Sequence, residues 1–151
     1  MSEHTATVQW RHTSGDFLTG RYSREHTWTF DCGVTVAASS SPAAVRVPFS
    51  NPDNVDPEEA YVASIASCHM LSFLYAAMKE GFEVVSYEDH AIGTMTKNER
   101  GVLWVSSVVL RPTILYAQRV PSAEELSRLH HSAHEQCFIA NSVRTARTVD
   151  S

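Results

Sequence analysis

The feature that most constrains this chain is a segment of about 24 residues with helix punctuation at both ends. Asp56 offers a capping carboxylate, Pro57 suits the first helical position, and Glu59 completes an Asp-x-x-Glu capping box. Gly81 stands where a left-handed stop belongs, so the signals predict a helix from about residue 57 to 80. From Ala60 to Met78 it is apolar on nearly every side, broken only by Ser64, Ser67, Cys68, His69 and Ser72. That pattern predicts a central helix buried all round rather than along one stripe. A membrane span is the competing reading, since ~20 apolar residues suffice. The three serines, the histidine and the lack of basic flanks weigh against it. A helix of this length reaches ~36 Å, and one sheet covers only one side of it. The most economical cover for the other side is the same helix from a second subunit, which predicts an intertwined homodimer.

The flanking segments read mainly as strands. Ala6, Val8 and Trp10 alternate, Trp28 and Phe30 repeat the period, and Val34 and Val36 follow a Cys32-Gly33 turn. Between Ser39 and Val55 the prolines, serines and asparagines predict a loop leading into the helix. After Gly81, Val84 to Met95 and Val102 to Tyr116 flank a Lys97-to-Gly101 turn, the pattern of one long hairpin. Ser122 and Glu125 form a second capping box, and Ala123, Leu126, Leu129 and Ala133 line one face of a helix ending near Cys137. Arg144 to Val149 reads as a last strand. The whole predicts an α+β fold, a mainly antiparallel sheet packed on a long central helix, as a single domain over residues 1–151.

Charge and cysteine usage narrow the function classes. A net charge of −5 argues against a general nucleic-acid or membrane-surface binder and favours small-molecule partners. The opening MSEHTATVQW lacks the basic and apolar regions of a secretory signal and predicts a cytoplasmic protein. Cys32, Cys68 and Cys137 are odd in number and form no CxxC pair, which fits neither a secreted disulfide framework nor a zinc ribbon.

Composition alone favours inert structural thiols for Cys68 and Cys137, because burial raises a thiol's pKa. The pattern around them changes that balance. Asp56-Pro57-Glu58-Glu59, then Ala63 and Ala66-Ser67-Cys68, with Cys137 near the end of the next helix, resembles the OsmC/Ohr family of thiol-dependent hydroperoxide reductases. The resemblance covers most of the chain. It implies Cys68 as the peroxidatic thiol, Cys137 as the resolving thiol, Glu58 as the acidic partner, and an arginine that activates the thiolate. Arg24 matches the family's offset better than Arg21, which stays in reserve. It further implies a role in oxidative stress defence, an organic hydroperoxide substrate, a dithiol or thiol-protein reductant, and no cofactor or metal. The run Cys137-Phe138-Ile139-Ala140-Asn141-Ser142 and the histidine at 69 depart from the usual family pattern and suggest a distinct branch. Cys32 has no counterpart in the motif and reads as a small turn residue.

Two rival readings stand beside this one. His130, His134 and Cys137 share a helical face at i, i+4 and i+7, a spacing that binds zinc if His69 or Cys68 adds a ligand, although polar histidines on a solvated face are the simpler account. The other rival is a non-catalytic module of the same fold that holds a small apolar ligand. For the peroxidase reading, Glu58 and Cys68 lie ten residues apart on one helix, ~15 Å along its axis, with no Pro or Gly between them to kink it. An antiparallel pair of central helices would carry Glu58 of one subunit toward Cys68 of the other.

Overall fold

The computed structural model describes residues 1–151, and the chain divides into two compact units, Met1–Ala60 and Tyr61–Ser151. The first unit is an antiparallel three-stranded meander: β1 (Ala6–Gln9), β2 (His26–Phe30) and β3 (Thr35–Ala38), in that order. Val8 faces Trp28, and Trp28 faces Val36, so the alternating apolar positions read from the sequence share one register. Cys32 is exposed in the turn joining β2 to β3, where Gly33 adopts φ 87°. The loop after β3 returns to it: Ser39 N–H donates to Val55 O and Val55 N–H to Ala37 O, both at 3.0 Å. Buried Ser39 also accepts from Asn51 N–H at 3.0 Å, which closes the polar loop on itself. Asp56 then caps α1 (Pro57–Lys79), its Oδ1 accepting from Glu59 N–H at 2.8 Å.

In the second unit α1 lies over a long hairpin that is split in two. Instead of two continuous strands there are four: β4 (Glu83–Asp89), β5 (Ile92–Lys97), β6 (Leu103–Leu110) and β7 (Pro112–Ala117). β4 pairs with β7 and β5 with β6, in separate sheets. The register nonetheless runs through the break: Asp89 faces Pro112, and three residues on in each direction Ile92 faces Val109. The break is chemical. Pro112 has no N–H for a ladder, and Arg111 N–H donates to the Asp89 carboxylate at 2.7 Å instead. α2 (Ala123–Gln136) follows, with both arms of the Ser122–Glu125 capping box formed, and Cys137 ends it. β8 (Ala146–Val149) then joins β6 in parallel, with Arg147 opposite Val108.

Each half of the hairpin builds a core against its own half of α1. Ile65 packs with Val108 and Leu110, flanked by Val62, Val105 and Val149. Phe73 and Ala77 pack with Phe82, Leu129 and Ala133 over β4 and β7. Fully burying side chains such as Ile65 and Phe73 stabilises the fold by ~1.5–3 kcal/mol each. Gly93 on β5 permits the approach of α1, since a Cβ there would come within 2.4 Å of Val62 Cγ2.

Burial of α1 within the chain differs from the all-round pattern read from the sequence. Only Ile65, His69, Phe73 and Ala77 are buried, a strict i, i+4 stripe. Leu71, Tyr75 and Met78 on other faces are 61%, 59% and 61% exposed. Hydrophobicity all round a helix states that every face is apolar, and one chain's sheets reach a single stripe of it.

Candidate active site

Cys68 sits on α1 immediately before the buried His69, at the edge of the stripe, and is half-buried. Cys137, at the end of α2, is fully buried and takes a hydrogen bond from Ala140 N–H on its sulfur at 3.4 Å. The two thiols lie close enough to interact. Burial first, and the Cys68 contact second, push the Cys137 thiol up to about 11, so it rests protonated at neutral pH. On the open side of Cys68, a cavity of about 750 Å³ is lined by Leu71, Ser72, Tyr75, Gln136 and Phe138.

Behind the thiols lies a polar cluster. His69 Nε2 and His130 Nδ1 are 3.0 Å apart, and their rings stack with centroids 5.3 Å apart and planes 9° from parallel. The Phe73 ring covers His130 at 4.6 Å. Burial, then the charge of Arg147, pull His69 down to about 3 and His130 to about 4, so both rings are neutral at pH 7 and share one N–H between them. Their outer nitrogens, His69 Nδ1 and His130 Nε2, have no partner. Arg147 comes from β8, where alternation turns it inward with Val149, and its Nε and Nη1 are buried and unpartnered. Burial pulls its pKa below the usual guanidinium value, while Cys68 and Tyr87 act in the opposite direction. Tyr87, on β4, has a buried hydroxyl without a partner, and burial, followed by nearby Asp89, raises its pKa.

Of the residues singled out in the sequence, Cys68 and Cys137 are thus brought together. In the first unit, Glu58 is half-buried in the first turn of α1. Arg24 is half-buried, donates from Nη1 to Gly20 O at 2.9 Å and to Tyr22 O, and lies 3.6 Å from the centre of the Tyr22 ring. Arg21 is exposed, and with Arg24, Arg46 and Phe49 it lines a cavity of about 680 Å³. None of the chain's ion pairs includes Glu58, Arg24 or Arg21.

The histidine readings need correction. His130 is buried against His69 rather than solvated, because Leu126, His130, Ala133 and Cys137 form one helical stripe facing the core. His134 is exposed, and no three metal-ligating side chains converge anywhere in the chain. The sequence reading missed Arg147 and Tyr87. The signal was available in the period of β8, where an inward Val149 implies an inward Arg147.

Comparison with known proteins gives the family context. The family model described as OsmC-like protein matches residues 50–151. An OsmC-like protein of unknown function from Vibrio cholerae O1 biovar eltor has a solved structure with 49% identity, covering 99% of both chains at a TM-score of 0.95. An organic hydroperoxide resistance protein from Elizabethkingia anophelis matches at 18% identity and TM-score 0.73, covering 100% of this chain and 97% of its own. The organic hydroperoxide resistance protein OhrB of Bacillus subtilis matches at 20% identity and TM-score 0.63, covering 97% and 96%. No curated protein matches the sequence.

Proposed function

Because the chain belongs to the OsmC-like protein family, we propose that it reduces organic hydroperoxides with Cys68 as nucleophile and Cys137 as resolving thiol, in defence against oxidative stress. One observation carries the reading: a half-buried thiol, open to a cavity lined in part by Leu71, Tyr75 and Phe138, lies beside a second, buried thiol with which it interacts. Attack by the Cys68 thiolate on the distal peroxide oxygen forms an S–O bond and breaks O–O. The electron pair leaves on the alkoxide, which takes a proton and departs as the alcohol. The Cys137 thiol then displaces hydroxide from the sulfenic acid, releasing water and leaving a Cys68–Cys137 disulfide. A dithiol reductant returns both thiols by exchange.

The chain works as a cytoplasmic homodimer in this proposal. The second copy covers the exposed Leu71, Tyr75 and Met78 face of α1. Arg24 and Glu58 then activate Cys68 across the subunit interface, with a guanidinium suited to both the thiolate and the developing oxyanion.

The test is a titration of free thiols after one equivalent of cumene hydroperoxide, followed by peptide mapping. Loss of two thiols, with Cys68 and Cys137 recovered in one linked peptide, is the expected result. Retention of all three free cysteines would overturn the assignment.

A further inference from the structure

We propose that Arg147 is a positioning residue that supplies the fixed positive charge against which Cys68 reacts. The inference rests on the reading of Cys68 as the working thiol, and it adds a charge from inside the second unit that no family motif assigns. A guanidinium does not lose its proton in a protein, and burying a charge costs several kcal/mol unless an opposite charge compensates. Arg147 is half-buried and has no protein counter-ion at rest. None of the chain's ion pairs includes it, and its Nε and Nη1 donate to nothing.

Apart from Cys68, the titratable groups on which its charge acts, His69, His130 and Tyr87, are neutral at pH 7. On α1 and α2, His69 and His130 are held uncharged by burial and by Arg147 itself. On β4, Tyr87 keeps its proton; beyond it the Asp89 carboxylate accepts from Arg111 N–H with one oxygen, and its other oxygen is buried without a partner. Cys137 keeps its proton as well. Cys68 is the remaining acid that senses the Arg147 charge, and its thiolate is the anion that completes the pair. The histidine pair therefore insulates without competing: it fills the space beside Arg147 with neutral rings and leaves the field directed at sulfur.

The test uses full-length protein carrying Cys32→Ser and Cys137→Ser, so that Cys68 is the single thiol. Its alkylation rates by iodoacetate and iodoacetamide are compared. Both reagents react with the same thiolate, so their rate ratio cancels the fraction ionised and reads the electrostatic potential at the sulfur. Arg147→Met is expected to lower the iodoacetate-to-iodoacetamide ratio about tenfold, the effect of one unit charge a few ångströms away in a partly screened site. Arg147→Lys, which keeps the charge, is expected to stay within about twofold of the parent. Because the guanidinium has no counter-ion to lose, Arg147→Met should also unfold at the same temperature or higher. An unchanged ratio in folded Arg147→Met overturns the proposal, as does an equal fall in both variants. If Arg147→Met does not fold, Arg147→Gln gives the same reading. A charge-dependent ratio in a protein that consumes no hydroperoxide would support the Arg147 assignment while refuting the peroxidase reading.

Discussion

Acidification from pH 7 to 5 should destabilise this protein through two side chains. His69 and His130 are buried and neutral, with pKa values drawn from 6.5 to about 3 and about 4. In the unfolded chain both return to ordinary values and take up protons below pH 6.5, so over this window the unfolded state binds more protons and stability falls as pH falls. The contribution is fully present above pH 6.5 and is lost progressively down to about pH 3 to 4. pH 5 lies ~1.5 units below the unfolded pKa of each histidine, which is ~2 kcal/mol per ring and at most ~4 kcal/mol for the pair. The measurement is urea denaturation at pH 7 and pH 5, at fixed protein concentration, for the natural chain and for the double variant His69→Phe, His130→Phe. The natural chain should lose most of that amount and the double variant little. Equal losses in the two proteins would refute the assignment of the pair as a neutral buried unit.

Three other outcomes are expected, two from the proposed mechanism and assembly and one from the packing at Gly93. Cys68→Ser should abolish hydroperoxide consumption, whereas Cys137→Ser should support a first turnover and then over-oxidise at Cys68, read by mass spectrometry of the intact protein. Gly93→Ala should destabilise by ~1–3 kcal/mol, because its Cβ would meet Val62 Cγ2 at 2.4 Å; Val62→Ala in the same chain should recover part of the loss in a urea titration. If the site is built across a twofold interface, equal mixing of inactive Cys68→Ser and Glu58→Ala chains should restore about a quarter of the natural activity, and a fully active monomer would refute the shared site.

How much of this was legible in the sequence depended on the range of the interaction involved. α1 was readable to within a residue, because the Asp56 cap and the Gly81 stop are local chemistry. The Ser122–Glu125 box and the end of α2 at Cys137 were readable for the same reason. The pairing of Val84–Met95 with Val102–Tyr116 was legible as a register, but its division into two sheets was not. That division turns on a side chain, Asp89, taking the N–H of Arg111 across the hairpin. The juxtaposition of Cys68 with Cys137 was implied by resemblance, whereas His130 was misjudged. A histidine beside apolar positions on a short helix looks solvated until its partner, His69 on another helix, is known. Arg147 was passed over because arginines are ordinarily surface residues, and a four-residue strand gives period-two alternation little length in which to show.

The two separate cores beneath α1 have a consequence for how the molecule could tolerate chemistry in its interior. Ile65 anchors the helix in one cluster and Phe73 in the other, and Cys68 falls between these anchor points. A closely packed interior resists any change of bond length or volume, because neighbouring side chains have nowhere to go. At a seam the demand is smaller: in the proposed mechanism the sulfur gains an oxygen, or moves into a bond with Cys137, while Ile65 and Phe73 keep their contacts. With Cys68 in its proposed role, the fold separates mechanical support from reactivity along a single helix. Substitutions that merge the clusters by filling the seam would stiffen the protein and impede oxidation at Cys68, even with every reacting atom retained.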